Sequence, residues 1–325
     1  MNPVNIAIAL NKNVLPQAYV MLRSVAKNHI SSRICVYVLH SELSSDNCAF
    51  LQDALLRDME GNRMVFLKID LAQVSGLPYN QLWSPEMYYR LMLPELLGEH
   101  MDRILYLDID MIVNKDITEF YNTDFEDCLL IAAKDMEFQT ILSLDEPDSR
   151  TRNAFFRELA KDGLVYFCSG MLLMNLAKLK EQYSFKKYKE IFFSVSDVMV
   201  LPDQDLLNYV HQGQVKYVDE LQFGLFAQTA HKMGMGYKEV SENVSILHFT
   251  GRAKPWTINL VRYDIEKIWW EYAKDAPFYA ELLESVFFHS MESHFTEDKI
   301  HALMEENDKL RILLQKYQLM VQNLH

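Results

Sequence analysis

A chain of 325 residues, 50% hydrophobic, 12% aromatic and only 24% charged, can bury a sizeable core; the disordered class is excluded, because it lacks the apolar surface to offset its ordering entropy. The formal net charge of −13 opposes any polyphosphate backbone, so no nucleic-acid partner is expected, and an anionic substrate needs a locally basic pocket. Cys35, Cys48, Cys128 and Cys168 show no metal-binding spacing and read as reduced thiols of a cytoplasmic protein; Met1 to Asn13 has no basic start like a signal peptide's, and no long apolar run predicts a spanning helix.

In chain order, Val4 to Leu10 is a short apolar strand, followed by the polar turn Asn11-Lys12-Asn13 and a helix over Leu15 to His29. Ile34 to Leu39 reads as a second strand, Asp46 to Met59 as a helix and Met64 to Ile69 as a third strand. Ser84 and Pro85 form an N-cap and first helical residue, which puts Arg90 about two turns into a helix. Ile104 to Leu107 and Leu129 to Ala133 are further apolar runs, and Val244 to Leu247 is a late strand. The βαβ alternation predicts an α/β domain with a mostly parallel sheet, whose ligands bind beyond the carboxyl ends of the strands. Beyond Trp256, Tyr263 to Ala273 and Pro277 to Phe288 read as amphipathic helices rich in aromatic residues. From Thr296, Ile300, Leu303, Asn307, Leu310, Leu314, Tyr317, Val321 and Leu324 step by three or four, a heptad seam that serves either a homodimer or a helix laid on the parent domain.

The strongest local chemistry is Asp108-Ile109-Asp110 at the end of an apolar strand. Strand alternation points both carboxylates one way, where their repulsion is relieved by a divalent cation or by solvent. His248, also just after a strand, adds an imidazole that shifts preference from Mg²⁺ toward Mn²⁺. In the same segment Gly251 permits close backbone approach to a phosphate and Lys254 supplies a positive charge.

A strand ending in Asp-x-Asp, with His-x-x-Gly-x-x-Lys-Pro-Trp from His248 to Trp256, resembles glycosyltransferase family eight over roughly Asn5 to Trp256. That is the retaining family of bacterial lipopolysaccharide galactosyl- and glucosyltransferases and of glycogenin. The resemblance implies an α/β GT-A fold with a mostly parallel central sheet plus C-terminal helices. With the helical spacing beyond Trp256, the chain divides into a catalytic domain over residues 1–257, amphipathic helices over 258–295 and a terminal heptad helix over 296–325. Asp108, Asp110 and His248 then bind Mn²⁺ (Mg²⁺ as the alternative), and Gly251 and Lys254 contact the diphosphate of a UDP-hexose. Asn11 and Asn13 fall in the turn that reads uracil and ribose; many members have Asp where Asn11 stands.

Ser84 to Leu91 matches the family's Ser-to-Tyr-x-Arg-Leu segment, by which Arg90 reaches the donor; an ordinary surface ion pair is the plain alternative. Pro202 to Asn208 matches its Asp-Gln-Asp segment. There Asp203 holds the donor sugar's hydroxyls, or merely caps a helix, and Gln204 sits under the anomeric carbon. An amide is a poor nucleophile, so the implied reaction is same-face displacement. Tyr166 to Leu176 matches a segment that usually reads Phe-Asn-Ala/Ser-Gly, with Cys168 in place of the Asn that bonds the sugar; Ile109, Ser169 and Gly170 are expected among the donor-binding positions. The expected product is a hexose, galactose or glucose, on a glycan or lipid-linked acceptor, made in the cytoplasm or at the inner membrane face. Acceptor contacts are expected from the loops Ser75 to Trp83, Met136 to Ser149 and Phe223 to Tyr237. The rivals are a metal-dependent nucleotidyltransferase or phosphohydrolase, and a non-catalytic subunit that binds UDP-sugar or glycan.

Overall fold

The computed structural model describes residues 3–29, 31–57, 61–80, 84–143, 151–251, 254–257, 264–291, 300–301, 303–308, 311 and 314. Strands β1 (Val4–Ala9), β2 (Ile34–His40), β3 (Arg63–Lys68), β4 (Arg103–Leu107), β6 (Leu130–Lys134), β7 (Phe167–Asn175) and β8 (Val215–Val218) form one sheet in the order β3-β2-β1-β4-β7-β6-β8. Every neighbouring pair is parallel except those made by β7, which runs antiparallel to both β4 and β6. A second sheet holds β5 (Met111–Val113), β10 (Ile246–His248) and β9 (Phe223–Phe226) in the order β5-β10-β9.

The inner parallel strands β1, β2 and β4, and β6 beside them, are near-continuous apolar runs because both sheet faces are covered there, whereas the edge strands β3 and β8 are partly exposed. One face packs Ile6, Ile8, Val36, Val38 and Leu105 against Tyr19, Leu22 and Val25 of the helix Leu15–Asn28. The other packs Ala7, Leu39, Tyr106 and Leu172 against Tyr88, Tyr89 and Leu93. Ser44 starts the helix Ser45–Leu56 with a capping box, its side chain accepting from the Asn47 backbone while the Asn47 side chain accepts from the Ser44 backbone.

Three expectations are corrected. The segment opened by Ser84 is a 3₁₀-helix, Pro85–Met92, and the Ser84 side chain makes no capping bond. The expected loop from Phe223 to Tyr237 contains β9 and the helix Ala227–Lys232, and Met136–Ser143 is helical. Finally, β4 ends at Leu107, so Asp108 and Asp110 lie in the turn to β5 and not on alternating strand positions.

The four cysteines are free. Trp269 and Ile268, in the helix Lys267–Ala273, share a buried cluster with Val20, Ile112, Leu225 and Leu247. Phe287 and Phe288, in the helix Tyr279–Ser290, are 59% and 64% exposed. No helix among the described residues is long and apolar enough to cross a membrane. Of the heptad seam, Ile300, Leu303, Asn307 and Leu314 are described and exposed; Leu310, Tyr317, Val321 and Leu324 lie outside the described residues, as do 144–150, 81–83 and 258–263 in the expected loops and helices.

Candidate active site

The site forms where the two sheets meet. β4 delivers Asp108, the turn reverses the chain through Asp110, and β5 then pairs antiparallel with β10, so that His248 stands opposite Met111. Asp108, Asp110 and His248 each offer a ligand atom, all within 4.8 Å of one another. His248 thus reaches the carboxylates from the small sheet, not from the carboxyl edge of the large one.

The donor set fits a hard divalent cation. Ligands about 2.1 Å from such an ion lie at most about 4.2 Å apart, so atoms within 4.8 Å of one another need little movement to share one. Asp110 Oδ1 is buried without a hydrogen-bond partner, although His248 Nε2 is only 3.1 Å away: close, but not aligned for donation. Gly170 keeps this space open; a Cβ there would stand 2.8 Å from both Asp108 Oδ2 and His248 Cε1.

Electrostatics tighten the cluster. Burial alone would raise the Asp110 carboxyl, but Lys254 and then His248 hold it well below the ordinary range; Lys254 Nζ sits 2.5 Å from Asp110 Oδ2. Burial opposes charge on His248, yet Asp110 and Cys168 raise its pKa to about 10. Cys168 Sγ lies 3.6 Å from His248 Nδ1, and Phe226 packs edge-on against the same ring. Cys168 therefore supports the imidazole, and burial pushes its thiol up.

Arg90 is the hub of the neighbouring polar network, 4% exposed and no surface ion pair. Its guanidinium donates to Asp108 Oδ1 at 2.8 Å and to the Ser169 carbonyl at 2.5 Å, and its Nε stands 3.2 Å from Asp203 Oδ2. Tyr106 also donates to Asp108 Oδ1, at 3.0 Å. Asp203, whose carboxyl burial raises against the opposing pull of Arg90, accepts from Ser169 Oγ at 3.3 Å and from backbone N–H groups at Asp203 and Gln204 in the first turn of the helix Pro202–Val210. Asp205 in the same turn accepts the Val200 and Leu201 backbone N–H groups just ahead of the helix at 2.8 and 2.9 Å and is clamped by Arg152.

Gln204 has its amide fixed in both directions: Oε1 accepts the Ser169 N–H at 2.9 Å and Nε2 donates to Asp135 Oδ2 at 3.2 Å. Asp135, buried and raised by that burial, was not singled out from the sequence, although it follows β6 just as Asp108 follows β4. Gly251 has φ +74°, a left-handed turn with nothing within 4 Å of a built Cβ, so it is required by backbone conformation and not by crowding. Asn11 accepts the Asn13 N–H at 3.0 Å, and Ile109 packs half-buried against the first core cluster.

Residues 5–259 match the model of glycosyl transferase family 8. The chain is 25% identical to a lipopolysaccharide 1,2-glucosyltransferase of Escherichia coli (strain K12), over 78% of this chain and 72% of that one. It is equally 25% identical, over the same shares, to a lipopolysaccharide 1,3-galactosyltransferase of Salmonella typhimurium. Among solved structures, the galactosyltransferase LgtC in complex with donor and acceptor sugar analogs superposes with a TM-score of 0.69 at 27% identity, covering 84% of this chain and 96% of LgtC. With a GT-A fold, an Asp-Asp-His cluster and a family match over most of its length, the chain belongs to glycosyltransferase family 8.

Proposed function

We propose that this glycosyltransferase moves a hexose, galactose or glucose, from a UDP-sugar to a hydroxyl of a glycan or lipid-linked acceptor, with retention of anomeric configuration. The observation that carries the reading is the convergence of Asp108, Asp110 and His248, with Arg90 tying Asp108 to Asp203 and Ser169. The carboxylates and imidazole hold Mn²⁺, or Mg²⁺ in its place, which when bound neutralises charge growing on the leaving diphosphate. Lys254 and the Gly251 turn face the diphosphate, and Asn11 and Asn13 the nucleoside. Asp203, Ser169, Gly170 and Ile109 line the donor sugar.

Gln204 lies under the anomeric carbon. Its amide is a weak nucleophile whose carbonyl oxygen already accepts the Ser169 N–H. Same-face displacement follows: the acceptor oxygen bonds to the anomeric carbon as the bond to phosphate breaks, and the departing phosphate oxygen takes the acceptor's proton. Residues 1–257 carry this chemistry; the helices in 258–295 buttress it through Trp269, and 296–325 joins two copies. Deleting Thr296 to His325 should then halve the mass seen by light scattering; an unchanged mass rejects the dimer.

The deciding test is calorimetry. UDP should bind only with Mn²⁺ present, and Asp110→Ala should abolish that binding. Undiminished UDP binding without metal rejects the reading. Release of UDP from UDP-galactose or UDP-glucose separates transfer from the UMP-forming cleavage of a phosphohydrolase.

A further inference from the structure

One buried polar cluster lies apart from the carboxylates and the Arg90 network. At the carboxyl end of β1, Asn11 Oδ1 is committed to the Asn13 backbone N–H. The amide nitrogen turns the other way and donates to Glu86 Oε2 at 3.1 Å. Glu86 is 6% exposed and occupies the first turn of the 3₁₀-helix Pro85–Met92, the helix that also carries Arg90. Tyr89, three residues on and so on the same face of a 3₁₀-helix, is fully buried, with its hydroxyl beside the Ser41 side chain. Burial first, then the Glu86 and Glu42 carboxylates, raise that hydroxyl's pKa.

A buried carboxylate and an oriented amide N–H thus gather, with a phenol hydroxyl nearby, where open α/β sheets bind ligands, beyond the strand ends. Buried polar groups are ordinarily satisfied, so such a cluster calls for a polar partner. Arg90, bonded to Asp108, is four residues from Glu86, about 8 Å along a 3₁₀ axis at ~2 Å per residue, which leaves a sugar's length between the cluster and the carboxylates.

We propose that Glu86 is the residue that selects the nucleobase of the donor. Uracil presents an imide N–H flanked by two ring carbonyls. The Glu86 carboxylate accepts the imide N–H, and the remaining Asn11 amide hydrogen donates to a neighbouring carbonyl. Asn11 Oδ1 already accepts the Asn13 N–H, and the charged Glu86 carboxylate is the stronger acceptor of the two. The proposal rests on the reading of the donor as a UDP-sugar.

The test is calorimetric titration of the full chain, with Mn²⁺ present, by UDP and by UDP methylated at ring N3, which lacks the imide hydrogen. The wild type should prefer UDP by about tenfold to a hundredfold, the range of a hydrogen bond to a charged group. Glu86→Ala should lose about that factor for UDP and bind the two ligands alike. If Glu86→Ala proves unfolded, Glu86→Gln serves, and its preference must fall below the wild type's. A variant that weakens both ligands equally, or keeps the full preference, overturns the role of Glu86 while leaving the donor reading intact. Failure of the wild type to bind UDP at all sinks the donor reading and this inference with it.

Discussion

Replacing Arg90 by alanine should destabilise the protein by about 3–5 kcal/mol, and by more at neutral than at acid pH. The guanidinium is 4% exposed and holds Asp108 at 2.8 Å and Asp203 at 3.2 Å. Removing one partner of a buried ion pair leaves uncompensated charge, which costs about 3–5 kcal/mol. At about 2–4 °C per kcal/mol for a large domain, the unfolding midpoint should fall by about 6–20 °C. The pH dependence follows from Asp203. Burial already raises its carboxyl above the ordinary 3.8, against the pull of Arg90. Without Arg90 it rises further, so the folded state binds a proton that the unfolded state releases, and stability falls as pH climbs from about 4 through the raised value. The gap between wild type and variant should therefore widen from about pH 4 to pH 7 in urea unfolding curves. Arg90→Lys, which keeps the charge and loses the fork, should fall between the two. A gap below about 1 kcal/mol, or one constant with pH, would mean that solvent reaches these carboxylates and that Arg90 is no hub.

Two further outcomes concern the Asp-Asp-His cluster. Gly170→Ala puts a Cβ 2.8 Å from Asp108 Oδ2 and His248 Cε1, so it should weaken Mn²⁺ binding at least about tenfold while changing the melting temperature little; unchanged affinity would show that the ligands close elsewhere. Because Asp110 and Cys168, against burial, raise His248 to about 10, the imidazole is protonated at neutral pH and must lose that proton to coordinate. Mn²⁺ affinity should thus rise between about pH 6.5 and 8.5 with about one proton released per ion, read from the buffer dependence of the calorimetric heat; binding without proton release would mean that the imidazole is already neutral in the metal-free site. The same raised value stabilises the metal-free fold below the ordinary 6.5, a contribution lost as pH rises through about 10.

Much of the scaffold was legible because a strand covered on both faces must be apolar throughout. β1, β2, β4 and β6 announce themselves in this way, the edge strand β3 does so through its apolar residues Met64 to Leu67, and β1 to β3 alternate with helical spacing. Direction is not written in such a run. β7 is as apolar as its neighbours and buried along nearly its whole length, yet it runs antiparallel to both. β5 and β9 are three or four residues each, too brief for any period to register, so although Val244 to Leu247 reads as a strand and overlaps β10, the second sheet it joins is not legible.

That second sheet explains why the Asp pair and His248 meet for a reason other than the expected one. Alternation along a strand would place Asp108 and Asp110 on one face of the large sheet and bring His248 to the same edge. Instead the chain leaves β4, turns through both carboxylates with the Met111 N–H returning to the Asp108 carbonyl, and enters β5. Pairing of β5 with β10 then fixes the register that sets His248 against Met111. The residue types alone pointed to the chemistry, since two carboxylates and an imidazole seek a cation wherever the backbone lets them converge. The same logic exposes what was overlooked. Asp135 carries the strand-end signal of Asp108, with Glu137 two residues on, and reaches Gln204, but no late His-x-x-Gly-x-x-Lys segment pointed to it. Glu86 looked like an acidic residue suited to a helix start. Only its burial beneath Asn11 separates it from that ordinary role, and burial of one side chain at a helix start is a property of the folded neighbourhood, which no local pattern encodes.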